Sequence, residues 1–364
     1  MRGSLPKYGL DLNTVQHGQI LESPYEITVD DSWRIQWQSV FPTSSKLTTS
    51  EEYAQAWGFE SAAIPQAMLL NMALCFSVEP FSQSCRLHLG LENARQERPA
   101  HFGDTFRSYT RIDGLKNTSR GDASVIHSTH ILVNQRNERV FSLKKRSYYD
   151  PLPTSRTESI IQDQVDGDEF FAIAESSMID HFSGISKVPE SKNSPFKIGD
   201  FILHPMVRPL GWSENLALST LYRNTHPIHW DSQHYGRDGI VVCGGFVQSM
   251  VFAACDRELR QVLDETLISS SHINTVAPED GIGAISKIVE VENISETLER
   301  ITVKTLGLKN VDIAHELPEV DIPDQLLSAE TLKPSEIEKI CAGNCPELAG
   351  RIAMQATRSI LRPR

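Results

Sequence analysis

The sequence predicts an α+β protein made of two copies of one unit, each an antiparallel sheet wrapped around a long helix. The first observation behind this prediction is an internal repeat, because about fifty residues of the first half match the second half without gaps at a constant offset of 181 positions. The offset aligns three pairs of similar residues: Gly18 with Gly199, Phe41 with Tyr222, and Gly58 with Gly239. The second observation is that each half runs from one long apolar helix into a series of strand patterns.

The long helices are predicted over 64–77 in the first half and 245–263 in the second. Apolar residues of the second helix recur at close to helical spacing, which indicates one buried face. These residues are Phe246, Met250, Val251, Ala254 and Leu259.

Strand patterns rich in β-branched residues and separated by turn residues follow each helix. We predict four strands in the first half, over 86–91, 105–112, 123–134 and 139–149. We predict three in the second half, over 273–276, 283–291 and 299–306. A sheet of this kind wrapped around one long helix is the hotdog arrangement, so the chain is predicted to contain two hotdog units.

The predicted domain boundaries follow from these patterns. Residues 13–153 form an N-terminal hotdog that has lost its polar site residues, and residues 195–320 form a C-terminal hotdog that keeps them. The polar, acidic segment 154–194 is predicted to be a linker, and 321–364 a helical C-terminal extension.

Composition excludes several classes of function. The net charge of −12 and the absence of a stripe of Lys and Arg argue against nucleic-acid binding. No apolar run approaches the length of a membrane span, and the N-terminus lacks the apolar core of a signal peptide, so no membrane partner and a cytoplasmic location are expected. The six cysteines show no zinc pattern, and neither a metal nor another cofactor is expected. Formation of a homo-oligomer is left open.

One loop differs sharply in chemistry between the two copies. At three positions related by the offset, the first copy has Thr43, Ser45 and Thr48, and the second has Asn224, His226 and His229, with Asp231 two residues further on. Only the second set includes side chains that titrate near neutral pH. This asymmetry predicts one active site, in the second half, supported by the first.

The loop also carries a family resemblance. The segment 222–231 resembles the signature of the MaoC-like, (R)-specific enoyl-CoA hydratases, Gly-Asp-x-Asn-Pro-x-His. Pro227, Ile228 and His229 fit this signature directly, whereas Asn224 replaces its aspartate and His226 its asparagine.

A closer resemblance, over roughly 13–315, is to the mesaconyl-CoA (2-methylfumaryl-CoA) hydratase group. It rests on the first-half segments 50–59, 102–105, 114–120 and 133–135, and on 221–225 and 244–245 in the second half. The resemblance implies an enzyme, a carbon–oxygen lyase that adds water to the 2,3-double bond of an enoyl thioester or removes it. The implied substrate is a branched dicarboxylic thioester of CoA or of acyl carrier protein. Two alternatives stay open, a hotdog thioesterase and a non-catalytic protein that binds acyl thioesters.

Chemistry of this kind assigns a role to each candidate residue. His229 is the expected acid or base, and Asn224 would orient a water. His226 would share the proton work or shape the loop, and Asp231 would either orient His229 or solvate its own loop. Gly244 and Gly245 are expected at a helix start, where free N–H groups could bind the thioester oxygen, and Tyr222 is expected to contact substrate. A thioesterase would need a carboxylate near the same helix start, and Asp238 is the nearest candidate.

Overall fold

The computed structural model describes residues 3–153, 160–161, 169–172, 178–185 and 195–364. Within them, two α+β units share one antiparallel sheet. The sequence-based prediction of two hotdog units in one chain is confirmed.

The first unit places its strands around one central helix, α4 (Gln66–Phe76). The strands are β1 (Ile20–Glu22), β2 (Ile27–Thr28), β3 (Leu87–Gln96), β4 (Thr105–Asn117), β5 (Ser124–Val133), β6 (Arg139–Tyr149) and β7 (Ile160–Ile161). The shorter helices are α1 (Asp31–Val40), α2 (Lys46–Thr49), α3 (Glu51–Ala56) and α5 (Met178–Ser183).

The second unit repeats this plan around the central helix α8 (Gly244–Leu259). Its strands are β8 (Phe201–Pro209), β9 (Asp264–His272), β10 (Gly281–Asn293), β11 (Leu298–Lys309) and β12 (Ile352–Pro363). Its other helices are α6 (Trp212–Leu221), α7 (Ser232–Tyr235), α9 (Ile313–Glu316) and α10 (Pro334–Asn344).

The strand order shows that the two units are related by an approximate two-fold axis. The strand order of the sheet is β1-β4-β5-β6-β3-β9-β12-β11-β10-β8. The strands of the second unit follow in the reverse order of their first-unit counterparts, and the two units meet where β3 pairs with β9. The constant offset of the sequence is visible in the elements: β8 and α6 begin 181 residues after β1 and α1.

The two central helices pack directly on each other at the centre of the molecule. A Cβ atom on Gly245 would lie 2.3 Å from Asn71 Oδ1, so only a glycine permits this approach. At the same crossing, Asn71 Nδ2 donates a hydrogen bond of 2.8 Å to Ser249 Oγ. Asn71 and Ser249 each lie six residues after the N-cap of their helix, Pro65 and Cys243, so they are counterparts across the two-fold axis.

The predicted helical extension over 321–364 is wrong in its second part. Helix α10 lies there, but 352–363 forms β12, which is hydrogen-bonded between β9 and β11 inside the second sheet. This strand contains Ala, Met, Gln, Arg and Leu, which favour helices when nothing else decides. Pairing on both sides overrides that preference, as is common for central strands.

The strand β12 is the counterpart of β6, and the residues before it are an insertion in the second unit. Residues between β11 and β12 build a separate apolar cluster against the sheet, which includes Leu326, Ile337 and Cys341. The predicted linker, 154–194, falls largely outside the described residues. Of its described parts, β7 pairs with β4 and α5 packs Phe182 against Trp57.

Candidate active site

The loop predicted to carry the chemistry lies between α6 and α8 and is attached to the first unit. Gln83 Nε2 donates a hydrogen bond of 3.0 Å to the carbonyl oxygen of Thr225, and the Thr225 hydroxyl donates to Gln83 Oε1. Asn224 is buried, and its Oδ1 accepts a hydrogen bond of 3.2 Å from the backbone N–H of His226. The site is therefore built from both units.

His229 is held in the tautomer that a general base requires. Its Nδ1 lies 2.9 Å from the carbonyl oxygen of Val241. A carbonyl can only accept, so Nδ1 carries the proton and Nε2 keeps its lone pair. No residue among those described hydrogen-bonds to Nε2, which leaves it available to water or substrate.

His226 uses both ring nitrogens to fix the loop. Nδ1 accepts from the N–H of Ile228 at 3.3 Å, and Nε2 lies 3.4 Å from the carbonyl oxygen of Cys85 in the first unit. Burial lowers the pKa of His226 to about 4, and repulsion from the protonated form of His229, at a ring separation of 5.8 Å, adds to the effect. His226 is thus neutral near pH 7, and the geometry favours loop shaping, one of its two expected roles, over proton transfer.

Asp231 does not orient His229, the first of the two roles expected for it. Its Oδ1 accepts hydrogen bonds of 3.1 Å from the N–H groups of Gln233 and His234 and so caps α7. The orienting group is instead the carbonyl of Val241, which a sequence cannot reveal because every residue has one.

The two glycines at the start of α8 have different surroundings. The N–H of Gly244 belongs to the first turn, where the helix offers no acceptor and carries a partial positive charge. A Cβ on Gly244 would lie 2.6 Å from His272 Nε2, so glycine leaves room for this imidazole. Gly245 serves the packing of α8 on α4 described above, and a direct role for it in substrate binding is not favoured.

Tyr222, expected to contact substrate, is a core residue. It is fully buried, and its ring packs on Trp33 and Phe246 at centroid distances of 5.0 and 5.6 Å. Burial raises the pKa of its hydroxyl well above the ordinary value, so the group stays protonated.

Sequence reasoning missed several residues of the site. Cys243 is buried in the core, and its thiol also interacts with Cys75 of α4 and with His229. The hydrogen bond between the two thiols lowers the pKa of Cys243 and raises that of Cys75. His88 and His272, with rings 5.5 Å apart, come from the paired strands β3 and β9. The signal for Cys243 was its place beside the glycine pair; His88 and His272 had none, because only the two-fold assembly brings them together.

The equivalent loop of the first unit lines an apolar cavity of about 100 Å³, whereas His229 does not line it. Ser45 donates to the carbonyl of Val262 at 3.4 Å, as His226 does to that of Cys85. Three carboxyl groups from the second unit line this cavity: Asp256, Asp264 and Glu265. Burial raises the pKa of Asp256 and of Asp264 to about 6. The first-unit loop thus has no titrating side chains at its three signature positions, but second-unit carboxyl groups lie beside it.

Replacing Asp264 by Asn should change how stability depends on pH. Asp264 is 5% exposed, and its pKa rises from an ordinary 3.8 to about 6 in the folded protein. Because the pKa is raised in the folded protein, the contribution of Asp264 to the free energy of unfolding is fully present below about pH 4. It is lost as the pH rises through about 6, and the total loss is about 3 kcal/mol. Asp264→Asn should therefore gain stability relative to the wild type between pH 4 and pH 7.

Urea unfolding of both proteins at several pH values measures this difference. The exposed Asp238 provides a control, because Asp238→Asn should leave the pH dependence unchanged. A parallel pH dependence in Asp264→Asn and the wild type would show that Asp264 is not desolvated in this way.

Among the described residues, no helix is both long and apolar enough to cross a membrane. In the same part of the chain, no three His, Cys, Asp or Glu side chains come close enough to hold a metal ion.

Comparison with known proteins gives consistent relatives. No protein-family model matches the chain. It is 23% identical to a mesaconyl-CoA hydratase of Cereibacter sphaeroides over 75% of this chain and 81% of that protein. It is also 23% identical to a β-methylmalyl-CoA dehydratase of Chloroflexus aurantiacus, over 70% and 74%.

Solved structures of similar fold cover the whole chain. A MaoC domain protein dehydratase from Chloroflexus aurantiacus matches with a TM-score of 0.77 at 20% identity, over 100% of this chain and 99% of that one. A Mycobacterium tuberculosis protein described as a double hotdog matches with a TM-score of 0.71 at 15% identity, over 97% and 98%. The chain therefore has the double-hotdog fold of MaoC-like dehydratases, and its predicted resemblance to the mesaconyl-CoA hydratase group is confirmed.

Proposed function

We propose that the protein is an acyl-CoA hydratase or dehydratase that adds water to the 2,3-double bond of an enoyl thioester or removes it. One observation carries the proposal: His229 is fixed through Nδ1 by the Val241 carbonyl, with a free Nε2, close to the start of α8. A positioned base beside a helix N-terminus supplies the two functions that hydration of an enoyl thioester requires.

The reaction follows from these groups. In hydration, His229 Nε2 takes a proton from water, and the water oxygen bonds to the β-carbon. The electron pair of the double bond moves towards the thioester oxygen, where the N–H of Gly244 and the positive end of α8 stabilise the negative charge. Protonated His229 then delivers its proton to the α-carbon, and dehydration is the reverse.

Asn224 supports this scheme without taking a proton. Its Oδ1 is occupied by the N–H of His226, and its side chain reaches the Cys75 thiol. The amide thus fixes the loop that carries His229, and the base is a single imidazole. The replacement of the signature aspartate by Asn224 is compatible with hydration on this mechanism.

The relatives suggest the class of substrate. Both are named for adding or removing water from branched dicarboxylic CoA thioesters. We propose a substrate of the same kind, such as mesaconyl-CoA, carried by CoA or by acyl carrier protein. Thioester hydrolysis is less well supported, since Asp238 is exposed, ahead of the helix start.

Incubation with a panel of enoyl-CoA and 3-hydroxyacyl-CoA thioesters tests the proposal, with products identified by mass spectrometry. We expect at least one enoyl thioester, with mesaconyl-CoA the first choice, to gain one water, and its hydrated form to lose one. Release of free CoA instead would identify a thioesterase. Binding of the thioesters without any change in mass would identify a non-catalytic protein.

A further inference from the structure

Among the described residues, Lys145 of β6 is a buried cation without a carboxylate partner. Its side chain is 6% exposed, and the aromatic ring that it approaches is Phe81, at 5.5 Å. Within the described part of the chain, its ammonium group makes no hydrogen bond and no ion pair. Burying an uncompensated charge costs several kcal/mol, so lysines are rarely fully buried without a partner.

The ammonium group belongs to the candidate site. Its charge lowers the pKa of His226 in the loop and of His88 in β3, and it interacts with the thiol of Cys243 at the start of α8. The groups around it are imidazoles and thiols. Burial lowers the pKa of Lys145, and the groups that oppose this effect are the thiols of Cys85, Cys243 and Cys75 rather than a carboxylate.

The two-fold symmetry supplies an internal comparison. Lys145 pairs with Ser128 and Leu91 in the first sheet. In the second sheet, Arg358 pairs with Val303 and Leu267, which lie on the corresponding strands, β11 and β9. Arg358 is thus the counterpart of Lys145, and it too is fully buried, against the ring of Phe252.

Arg358 has the anions that Lys145 lacks. Its guanidinium forms an ion pair of 2.9 Å with Glu265, and it also interacts with Asp256. Glu265 pairs with Ile360, two positions after Arg358. His88 pairs with Ser147, two positions after Lys145, so His88 occupies the first-unit position that corresponds to Glu265.

The first unit also has an uncharged residue at the position that corresponds to Asp256 by residue count. Asp256 follows Ser249 by seven residues, and the buried Val78 follows Asn71, the counterpart of Ser249, by the same number. The second unit therefore neutralises its buried cation internally, whereas the first unit leaves the equivalent cation for another partner.

We propose that this partner is a carboxylate at the end of the acyl group away from the thioester, so that Lys145 selects anionic over neutral acyl chains. The phosphates of CoA fit less well, because they carry several charges that stay in water, whereas Lys145 is enclosed. The inference rests on the proposed function, since it assigns Lys145 to the same site and narrows the substrate to dicarboxylic thioesters.

Equilibrium binding of succinyl-CoA and butyryl-CoA to the full-length protein tests the inference without requiring turnover. The two ligands have acyl chains of equal length that end in a carboxylate or a methyl group. We expect the wild type to bind succinyl-CoA about ten- to a hundredfold more tightly, the range for a hydrogen bond to a charged group. Lys145→Met should lose this preference and keep its affinity for butyryl-CoA.

Two further variants sharpen the result. Lys145→Arg keeps the charge and should keep the preference. Lys144→Met, at the neighbouring and less buried position of β6, should also keep it. Because Lys145→Met removes an unpaired buried charge, we expect its melting temperature without ligand to be no lower than that of the wild type.

The inference is overturned if the wild type does not prefer succinyl-CoA, or if Lys145→Met retains the preference. It is also overturned if that variant weakens both ligands equally, as expected if the Cys243 thiolate is the true partner of the lysine. A preference that depends on Lys145 in a protein that hydrates no enoyl thioester would leave the inference standing and refute the proposed function.

Discussion

His229→Ala should reduce hydration of an enoyl thioester by about a hundredfold to ten-thousandfold while the protein remains folded, because proton transfer by a positioned side chain contributes on that scale. The imidazole is partly exposed in a loop, and within the described residues its hydrogen bond is with the Val241 carbonyl, so its loss should cost little stability. His229→Gln, which keeps a polar side chain but cannot act as a base, should lose activity to a similar extent. Steady-state rates, together with thermal unfolding of each variant, measure both effects.

The internal repeat provides a matched control at Thr48, the position equivalent to His229. Thr48 donates its hydroxyl to the carbonyl of Ser45 within the first-unit loop, and no titrating group is lost in Thr48→Ala. We expect its turnover to stay close to that of the wild type. Equal losses in Thr48→Ala and His229→Ala would contradict the assignment of a single site to the second unit.

Glu299→Ala should reduce the free energy of unfolding by about 3–5 kcal/mol, the range for breaking a buried ion pair by removing one partner. Glu299 on β11 and Arg362 on β12 are 1% and 0% exposed, and Glu299 Oε1 accepts a hydrogen bond of 2.7 Å from Arg362 Nε. The substitution removes a buried counter-charge of the Arg362 guanidinium, in a strand that the sequence had predicted to be helical.

Urea unfolding of Glu292→Ala gives the comparison. Glu292 pairs with Arg300 at 3.1 Å across β10 and β11, but both side chains are partly in solvent. Exposed pairs contribute at most about 1 kcal/mol, so this variant should unfold close to the wild type. A similarly small effect of Glu299→Ala would mean that β12 is not held in the sheet as described.

The sequence predicted the parts of the fold that depend on local pattern. The central helices and most strands followed from local apolar patterns, and the repeat predicted the two units. The strand predicted over 273–276 is wrong, because the strand of that region is β9, which ends at His272. The strand β12 was mispredicted because its residues favour helix locally, and because an insertion separates it from the rest of its unit. Its position is decided by hydrogen bonding to β9 and β11, which both lie far from β12 in the sequence.

The candidate site was predictable in its loop and not in its surroundings. The polar residues of the second copy pointed to His229, and the glycine pair pointed to the start of α8. The role of Tyr222 was misjudged, and that of Asp231 was left open between two, because spacing does not reveal which way a side chain turns. The first unit contributes residues such as His88 on β3 and Lys145 on β6. Their strand patterns indicate only a sheet, and the contact with the site loop depends on how the two units assemble.

Incubation of mesaconyl-CoA with the protein in heavy-oxygen water tests the central claim most directly, with the thioester analysed by mass spectrometry. The account predicts an intact thioester that carries labelled oxygen in a new hydroxyl group, formed by the wild type and by Thr48→Ala and not by His229→Gln. Labelled oxygen in a free carboxylic acid alongside released CoA, or hydration by His229→Gln at the rate of the wild type, would contradict it.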